Sequence, residues 1–187
     1  MTCQPQGRAS SIEIYGSEDQ HMIEVHPNLF VGSQVDYETN SFAFGEWAVI
    51  HACKEPYHRQ ALGYSGRAVS KTHPEYLIAR RPNRLILNLI DVENPLYIPD
   101  EIMEASIAFI HSSLATERRV LVHCNQGLSR SPAIAMLYLA THTERLPKAS
   151  FEQAIRLFLQ MYPPFAPAGG VYGFLQSRWA SWASSIS

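Results

Sequence analysis

Apolar residues in this chain alternate between short strand-like runs and longer helical ones. Ile23 to Val25 and Leu29 to Val31 are brief apolar runs parted by Pro27-Asn28, a turn pair, and read as two strands. Ala48 to Ala52 is a further strand, and Leu85 to Ile90 (LILNLI) is the clearest buried one. Val120 to Val122 follows Arg118-Arg119 and predicts another. Pro99 can open a helix, with Asp100 and Glu101 suited to its first turn. Met103, Ile107, Ile110 and Leu114 then share one face. Pro132 to Ala140 is apolar on every side, which predicts a central, buried helix. Ser150 and Gln153 form a capping box before Ala154 to Phe158, and a last helix covers Val171 to Trp182. Strands interleaved with helices predict an α/β fold with a central, largely parallel sheet flanked by helices.

Composition narrows the class. A chain of 187 residues fits one domain, and 46% apolar residues can build its core without disulfides. Residues 1–20 are polar and predict a flexible N-terminal tail, leaving 21–187 as the domain. The tail has no apolar core or basic start, and no run is long enough for a membrane span, so no membrane partner is expected. Three scattered cysteines, Cys3, Cys53 and Cys124, suit a reducing, cytoplasmic setting. Net charge is −2, which argues against a nucleic-acid partner without excluding one. Nothing specifies an oligomer, and a monomer is the default. Residues 54–84 stand apart, with seven Lys or Arg against two Glu, a net +5. So long a connection tends to be functional or mobile. Lys54, His58 and Arg59 within it are candidates for substrate recognition, with Arg80 and Arg81 also placed to line an approach.

The chemistry lies in Val120-Leu-Val-His-Cys-Asn-Gln-Gly-Leu-Ser-Arg-Ser-Pro132. A buried strand ends at His123, a helix begins near Arg130, and a tight loop joins them. Loop amides at such a junction converge on an anion, and the helix dipole favours it. The amides of Asn125, Gln126, Gly127, Leu128 and Ser129 are thus candidate phosphate ligands, and Gly127 permits the turn. Arg130 adds a planar fork for two phosphate oxygens. Thiols at helix N-termini beside a guanidinium ionise readily and become nucleophiles. Cys124 would attack phosphorus, and water would then cleave the thiophosphate, with Ser131 placed to hydrogen-bond the departing sulfur. Asp91, directly after LILNLI, is the candidate acid for the leaving group, since that strand should neighbour the one feeding Cys124. Glu93 and Asp100 are fallback donors. No His or Cys pair has zinc-ligand spacing, so no metal is expected.

HCNQGLSRSP resembles the signature of the dual-specificity branch of the protein tyrosine phosphatases, and the resemblance runs from about Ile23 to Trp182. Val25 to Ser33 resembles that family's opening strand pair. Leu137-Tyr138-Leu139 resembles the helix after the signature, and Gly173-Phe174-Leu175 its last helix. Asp91 stands 33 residues before Cys124, at the family's general-acid position. The resemblance implies a protein tyrosine phosphatase-like fold of dual-specificity size, without cofactor. It implies that His123 shapes the loop, Cys124 is the nucleophile, Arg130 binds phosphate, Ser131 aids hydrolysis and Asp91 is the acid. The segment 54–84 exceeds the family's usual spacer.

Within that superfamily, phosphoinositide enzymes usually carry lysines in the loop, whereas Asn125, Gln126, Leu128 and Ser129 are neutral. The branch that cleaves RNA triphosphates typically has Arg-Thr after its loop, and this chain has Arg130-Ser131. Both comparisons favour a phosphoprotein substrate carrying phosphotyrosine, with phosphoserine and phosphothreonine also open. Phosphorylated RNA, nucleotide or phosphoinositide is the alternative, as is a module that binds phosphate without hydrolysis. Cys53 ends an apolar run on what should be the same sheet edge as Cys124. A cysteine at a similar place in the phosphoinositide branch bridges to the nucleophile under oxidation, which makes Cys53 a candidate redox partner.

Overall fold

The computed structural model describes residues 22–40 and 46–184. The expected tail and Cys3 lie outside those residues. The chain runs β1 (Ile23–His26), β2 (Leu29–Ser33), α1 (Gln34–Thr39), β3 (Ala48–His51), α2 (Arg59–Leu62), β4 (Ile78–Arg81), β5 (Arg84–Leu87) and α3 (Asp100–Leu114). It continues through β6 (Val120–Cys124), α4 (Arg130–His142), α5 (Phe151–Met161) and α6 (Gly169–Ser184). The six strands form one sheet in the order β1-β2-β6-β3-β5-β4. The four inner strands are parallel; β1 and β4 close the edges as antiparallel hairpin partners. The Pro27-Asn28 turn forms as predicted, with Asn28 at φ 64°, a left-handed position that asparagine tolerates.

Strand alternation sorts the core onto two faces. Ile50, Val122, Leu85 and Leu87 join the main core under the helices, with Met103, Ile107 and Ile110 of α3. Their neighbours Val49 and Leu121 face the other way and pack on Tyr37 of α1. Every residue of α4 from Arg130 to Thr141 is buried, which explains its lack of a polar stripe. Ser33 starts α1 with a reciprocal capping box: Asp36 N donates to Ser33 Oγ, and Ser33 N donates to Asp36 Oδ2 at 2.7 Å. Ser150 caps α5 by accepting from Gln153 N at 3.3 Å.

Three expectations change. The strand at LILNLI is shorter, running Arg84–Leu87, so Asp91 follows a three-residue extension and not a strand end. β5 does not neighbour β6, because β3 pairs with both and lies between them. The segment 54–84 is not one long loop: it holds α2 and β4, and β4 pairs with β5 across a Pro82-Asn83 turn. Those backbone hydrogen bonds make it part of the sheet.

Candidate active site

β6 delivers Cys124 at its last residue, and α4 begins six residues later at Arg130. Cys124 is 2% exposed. The intervening loop is pinned from outside through its carbonyls. Asn125 O accepts from Gln34 N at 3.2 Å, and Leu128 O from Ala166 N at 2.8 Å. Gly127 O accepts from the Tyr162 hydroxyl at 2.9 Å. The Ser129 hydroxyl accepts from Ala168 N at 3.0 Å. Among the described residues no acceptor meets the amides of 125–129, so they remain available to an anion. Gly127 sits at φ 76°, and a Cβ there would lie 3.1 Å from the Gly32 backbone and the Tyr162 hydroxyl. Both facts require glycine.

Arg130 is held as a fork over this loop. Its Nη1 donates to Leu89 O at 3.1 Å and its Nη2 to Asn125 Oδ1 at 2.9 Å. The same Nη2 is 3.0 Å from Asp91 Oδ2. Its Nε is buried with no partner, as suits a donor kept for a ligand oxygen. The Ser131 hydroxyl lies 3.2 Å from Cys124 Sγ and 3.2 Å from Gly32 O. Cys124, Arg130, Ser131 and Asp91 are therefore brought together, although Asp91 arrives from a strand two places away. Asp100 is turned elsewhere, paired with Arg178 at 3.0 Å, and Glu93 is exposed.

The segment bearing Asp91 rests on the start of α6. Gly170 N donates to Val92 O at 3.0 Å. A Cβ on Gly170 would come 2.0 Å from that same oxygen, which no side chain can satisfy without moving the backbone. Gly173 has Pro95 Cγ 3.2 Å from its Cβ position.

Behind the loop, His123 belongs to a four-ring cluster. Its Nε2 is 2.7 Å from His51 Nδ1. Tyr37 stacks on His123 at 4.8 Å, and Tyr57 stacks on His51 at 4.2 Å. Burial, with His123 and Arg84 adding to it, holds His51 down to about 2; burial holds His123 down to about 3. Both rings are neutral at pH 7, so one donates to the other.

Cys53 is fully buried, two residues past the end of β3. Ala52 N donates to His123 O at 2.8 Å, which carries this chain alongside β6 as far as Cys124. Both cysteines are free. Burial, opposed by Arg130 and reinforced by Cys124, pushes the Cys53 thiol up to about 12.

The candidate recognition residues Lys54, His58 and Arg59 make internal contacts. His58 is buried between Glu75 O, at 3.0 Å, and the Tyr64 hydroxyl, at 3.3 Å. Arg59 holds Glu55 with two bonds of 2.7 Å and lies over the Tyr64 ring. Lys54 Nζ donates to Arg67 O. Together they brace the stretch around residues 63–67. Arg81 pairs in register with Arg84 at the start of β5, at the far end of the parallel strands from Cys124, so neither Arg81 nor its neighbour Arg80 lines the approach.

Three contributors had no sequence signal strong enough to find them. Gln34 Oε1 and Glu55 O both accept from Asn125 Nδ2, at 3.0 and 2.9 Å, and so orient the amide that holds Arg130. Tyr162 arrives from the end of α5. Ser33-x-x-Asp36, the capping box that starts α1 beside the loop, is the one local signal that could have pointed to Gln34.

Among solved structures, human DUSP28 matches with 18% identity over 86% of this chain and 93% of its own, TM-score 0.58. Human tyrosine phosphatase-like serine/threonine/tyrosine-interacting protein matches with 19% identity over 87% and 98%, TM-score 0.58. A mouse putative dual specificity phosphatase complexed with zinc tungstate matches with 20% identity over 91% and 93%, TM-score 0.56. At such identities these establish the fold. A search of curated proteins returned no match. The family model for the dual specificity phosphatase catalytic domain matches residues 70–164, just over half of the chain, and covers the loop from Cys124 to Arg130. The chain thus belongs to the dual specificity phosphatase catalytic domain family and is a cysteine-based phosphatase of that kind.

Proposed function

We propose that this chain hydrolyses phosphotyrosine in proteins, and phosphoserine or phosphothreonine as well, through a cysteinyl-phosphate at Cys124. The observation that carries the reading is the Arg130 fork, fixed by Leu89 and Asn125 with its buried Nε unpartnered, above a loop whose amides are free. A phosphate there would receive those amides and the guanidinium, with phosphorus in line with Sγ. Attack by the Cys124 thiolate forms the S–P bond and breaks the bond to the leaving oxygen, which takes its proton from Asp91. Water then attacks phosphorus and gives its proton to Asp91. The S–P bond breaks, and Ser131 donates to the returning thiolate.

A protein substrate is favoured by the surroundings. Val35, Ile90 and Leu128, next to Gln34, to Asp91 and within the loop, are exposed apolar residues. Lys54 and Arg59, the candidate recognition cations of the basic segment, make internal contacts. An apolar rim suits an aryl phosphate on a peptide better than a polyphosphorylated head group.

Turnover of a phosphopeptide panel, set against phosphorylated RNA, nucleotide and phosphoinositide, tests the substrate class. Cys124→Ser should abolish turnover and retain peptide binding. Arg130→Lys should be severely impaired, because a point charge cannot replace the fork. A Cys124→Ser protein with even about a tenth of wild-type turnover, roughly 1.4 kcal/mol of barrier, is incompatible with the mechanism. Binding without turnover in the wild type would make the chain a phosphate-binding module.

A further inference from the structure

The sheet face turned away from α3 and α4 is covered unevenly. α1 and the turn at Lys54–His58 cover its Cys124 end. Farther down, a cavity of about 490 Å³ opens over β3 and β5. Its lining includes Arg81, Arg84, Gln60, Asn83, Tyr57 and His51. This volume falls in the range of small-molecule sites, roughly 300–1,000 Å³.

The charges there are local. Topology brings Arg80, Arg81, Arg84, Arg118 and Arg119 to the end of the sheet where the parallel strands start, although the whole chain is net negative. Arg81 is partly engaged: its Nη1 donates to Glu75 Oε1 at 2.8 Å and to Arg80 O at 2.6 Å, and its Nη2 to Ala61 O at 3.0 Å, which leaves Nε and one Nη2 hydrogen facing no partner among the described residues. Among the described residues no carboxylate pairs with Arg84, whose guanidinium lies 5.9 Å from the Tyr37 ring centroid. The Arg84 guanidinium, the remaining N–H groups of Arg81 and the amide of Gln60 offer more donors than one carboxylate can accept, and they suit the several oxygens of a phosphate.

The cavity also touches the ring cluster behind the catalytic loop. His51 and Tyr57 line it, and both contact His123, His51 through the 2.7 Å bond and Tyr57 at 5.1 Å between rings. Tyr37, under Arg84, stacks on His123. His123 immediately precedes Cys124. Each path from cavity to loop is one packed ring long.

We propose that this cavity is a second anion site that takes a phosphate group between Arg84 and Arg81, and that its occupancy is transmitted to the catalytic loop through Tyr37, His51 and His123. The transmission rests on the reading of the Cys124 loop as the catalytic phosphate site. Free orthophosphate, the product of the reaction, and a small phosphate ester share the required chemistry.

Calorimetric titration of the full chain with inorganic phosphate, and separately with a nucleoside monophosphate, tests the site. Wild type should show two classes of site for inorganic phosphate. Arg84→Gln should weaken one class about tenfold or more, a loss of roughly 1.4 kcal/mol, and Arg130→Lys the other. Arg80→Gln, outside the lining, should leave both. Tighter binding of the nucleotide to the Arg84 class would identify an ester as the ligand; tighter binding of orthophosphate would identify the product. Retention of both classes in Arg84→Gln, and in Arg81→Gln should the first variant fail to fold, overturns the proposal. Retention of both in Arg130→Lys instead overturns the reading of the catalytic loop. With 4-nitrophenyl phosphate, orthophosphate should change kcat as well as apparent KM in wild type and act only on KM in Arg84→Gln. Purely competitive behaviour in wild type would reject the transmission.

Discussion

Arg130 Nη2 lies 3.0 Å from Asp91 Oδ2, so the candidate phosphate-binding fork and the candidate acid meet directly. Arg130 has a second purchase on this segment through Leu89 O, two residues before Asp91. An anion arriving at this Nη2 would compete with the carboxylate, and the contact keeps Asp91 at the mouth of the loop.

This geometry predicts a leaving-group signature. Asp91→Asn should lower kcat for phosphotyrosine peptides by about 10²–10⁴-fold, the usual contribution of a general acid. The loss should shrink for aryl phosphates whose leaving groups need no proton. A series of substituted phenyl phosphates measures this. Equal losses across the series would remove Asp91 from the acid role and leave Glu93, since Asp100 is committed to Arg178.

Gly170 should matter for the same step although it lies on α6, outside the loop from Cys124 to Arg130. Its Cβ position falls 2.0 Å from Val92 O, so Gly170→Ala must push the segment holding Asp91 away from α6. We expect the variant to retain phosphate binding at Arg130 and to lose kcat in the pattern of Asp91→Asn, most for poor leaving groups. An unchanged leaving-group slope with a lowered melting temperature would make the contact one of packing alone.

The buried histidine pair predicts acid sensitivity. His51 and His123 are held to about 2 and about 3, far below the ordinary 6.5. The unfolded chain takes up protons below pH 6.5 that the folded one refuses. Stability is therefore full above pH 6.5 and falls as pH drops below it, by at most about 1.4 kcal/mol per pH unit for each ring. Denaturant unfolding between pH 7.5 and 5 should show this slope, and His51→Phe should remove the share that His51 contributes while the share of His123 stays. A level wild-type profile over that interval would contradict neutral burial of the pair.

We propose a redox role for Cys53, and it can be tested separately from packing. Peroxide would convert the Cys124 thiolate to a sulfenic acid, itself being reduced to water. Cys53 sulfur would then attack, the Cys53 proton leaving with the sulfenic hydroxyl as a second water, and a disulfide would form. We expect wild-type activity to return on adding a thiol reductant, and Cys53→Ser to be inactivated irreversibly and faster. Peptide mapping after peroxide should show the Cys53–Cys124 link. The same irreversible rate in both proteins would leave Cys53 as a core cysteine, its thiol buried and held up to about 12.

The catalytic loop was legible in the sequence because everything that forms it is local: an apolar strand, a glycine at positive φ, and a helix starting at Arg130 form one short continuous stretch. The same holds for α3, α4 and the β1–β2 turn, which follow from periodicity, capping and turn chemistry within a few residues. Strand order is different, because pairing joins residues far apart in the chain, and short apolar runs such as Ala48 to Ala52 carry no mark of their neighbours. Only the tertiary structure placed β3 between β5 and β6, drew Asp91 back to Arg130 through Leu89, and turned Arg80 and Arg81 to the far edge of the sheet. It likewise set His51 against His123, 72 residues away, and Val92 against Gly170, since such contacts arise from register and close packing, which no local pattern encodes.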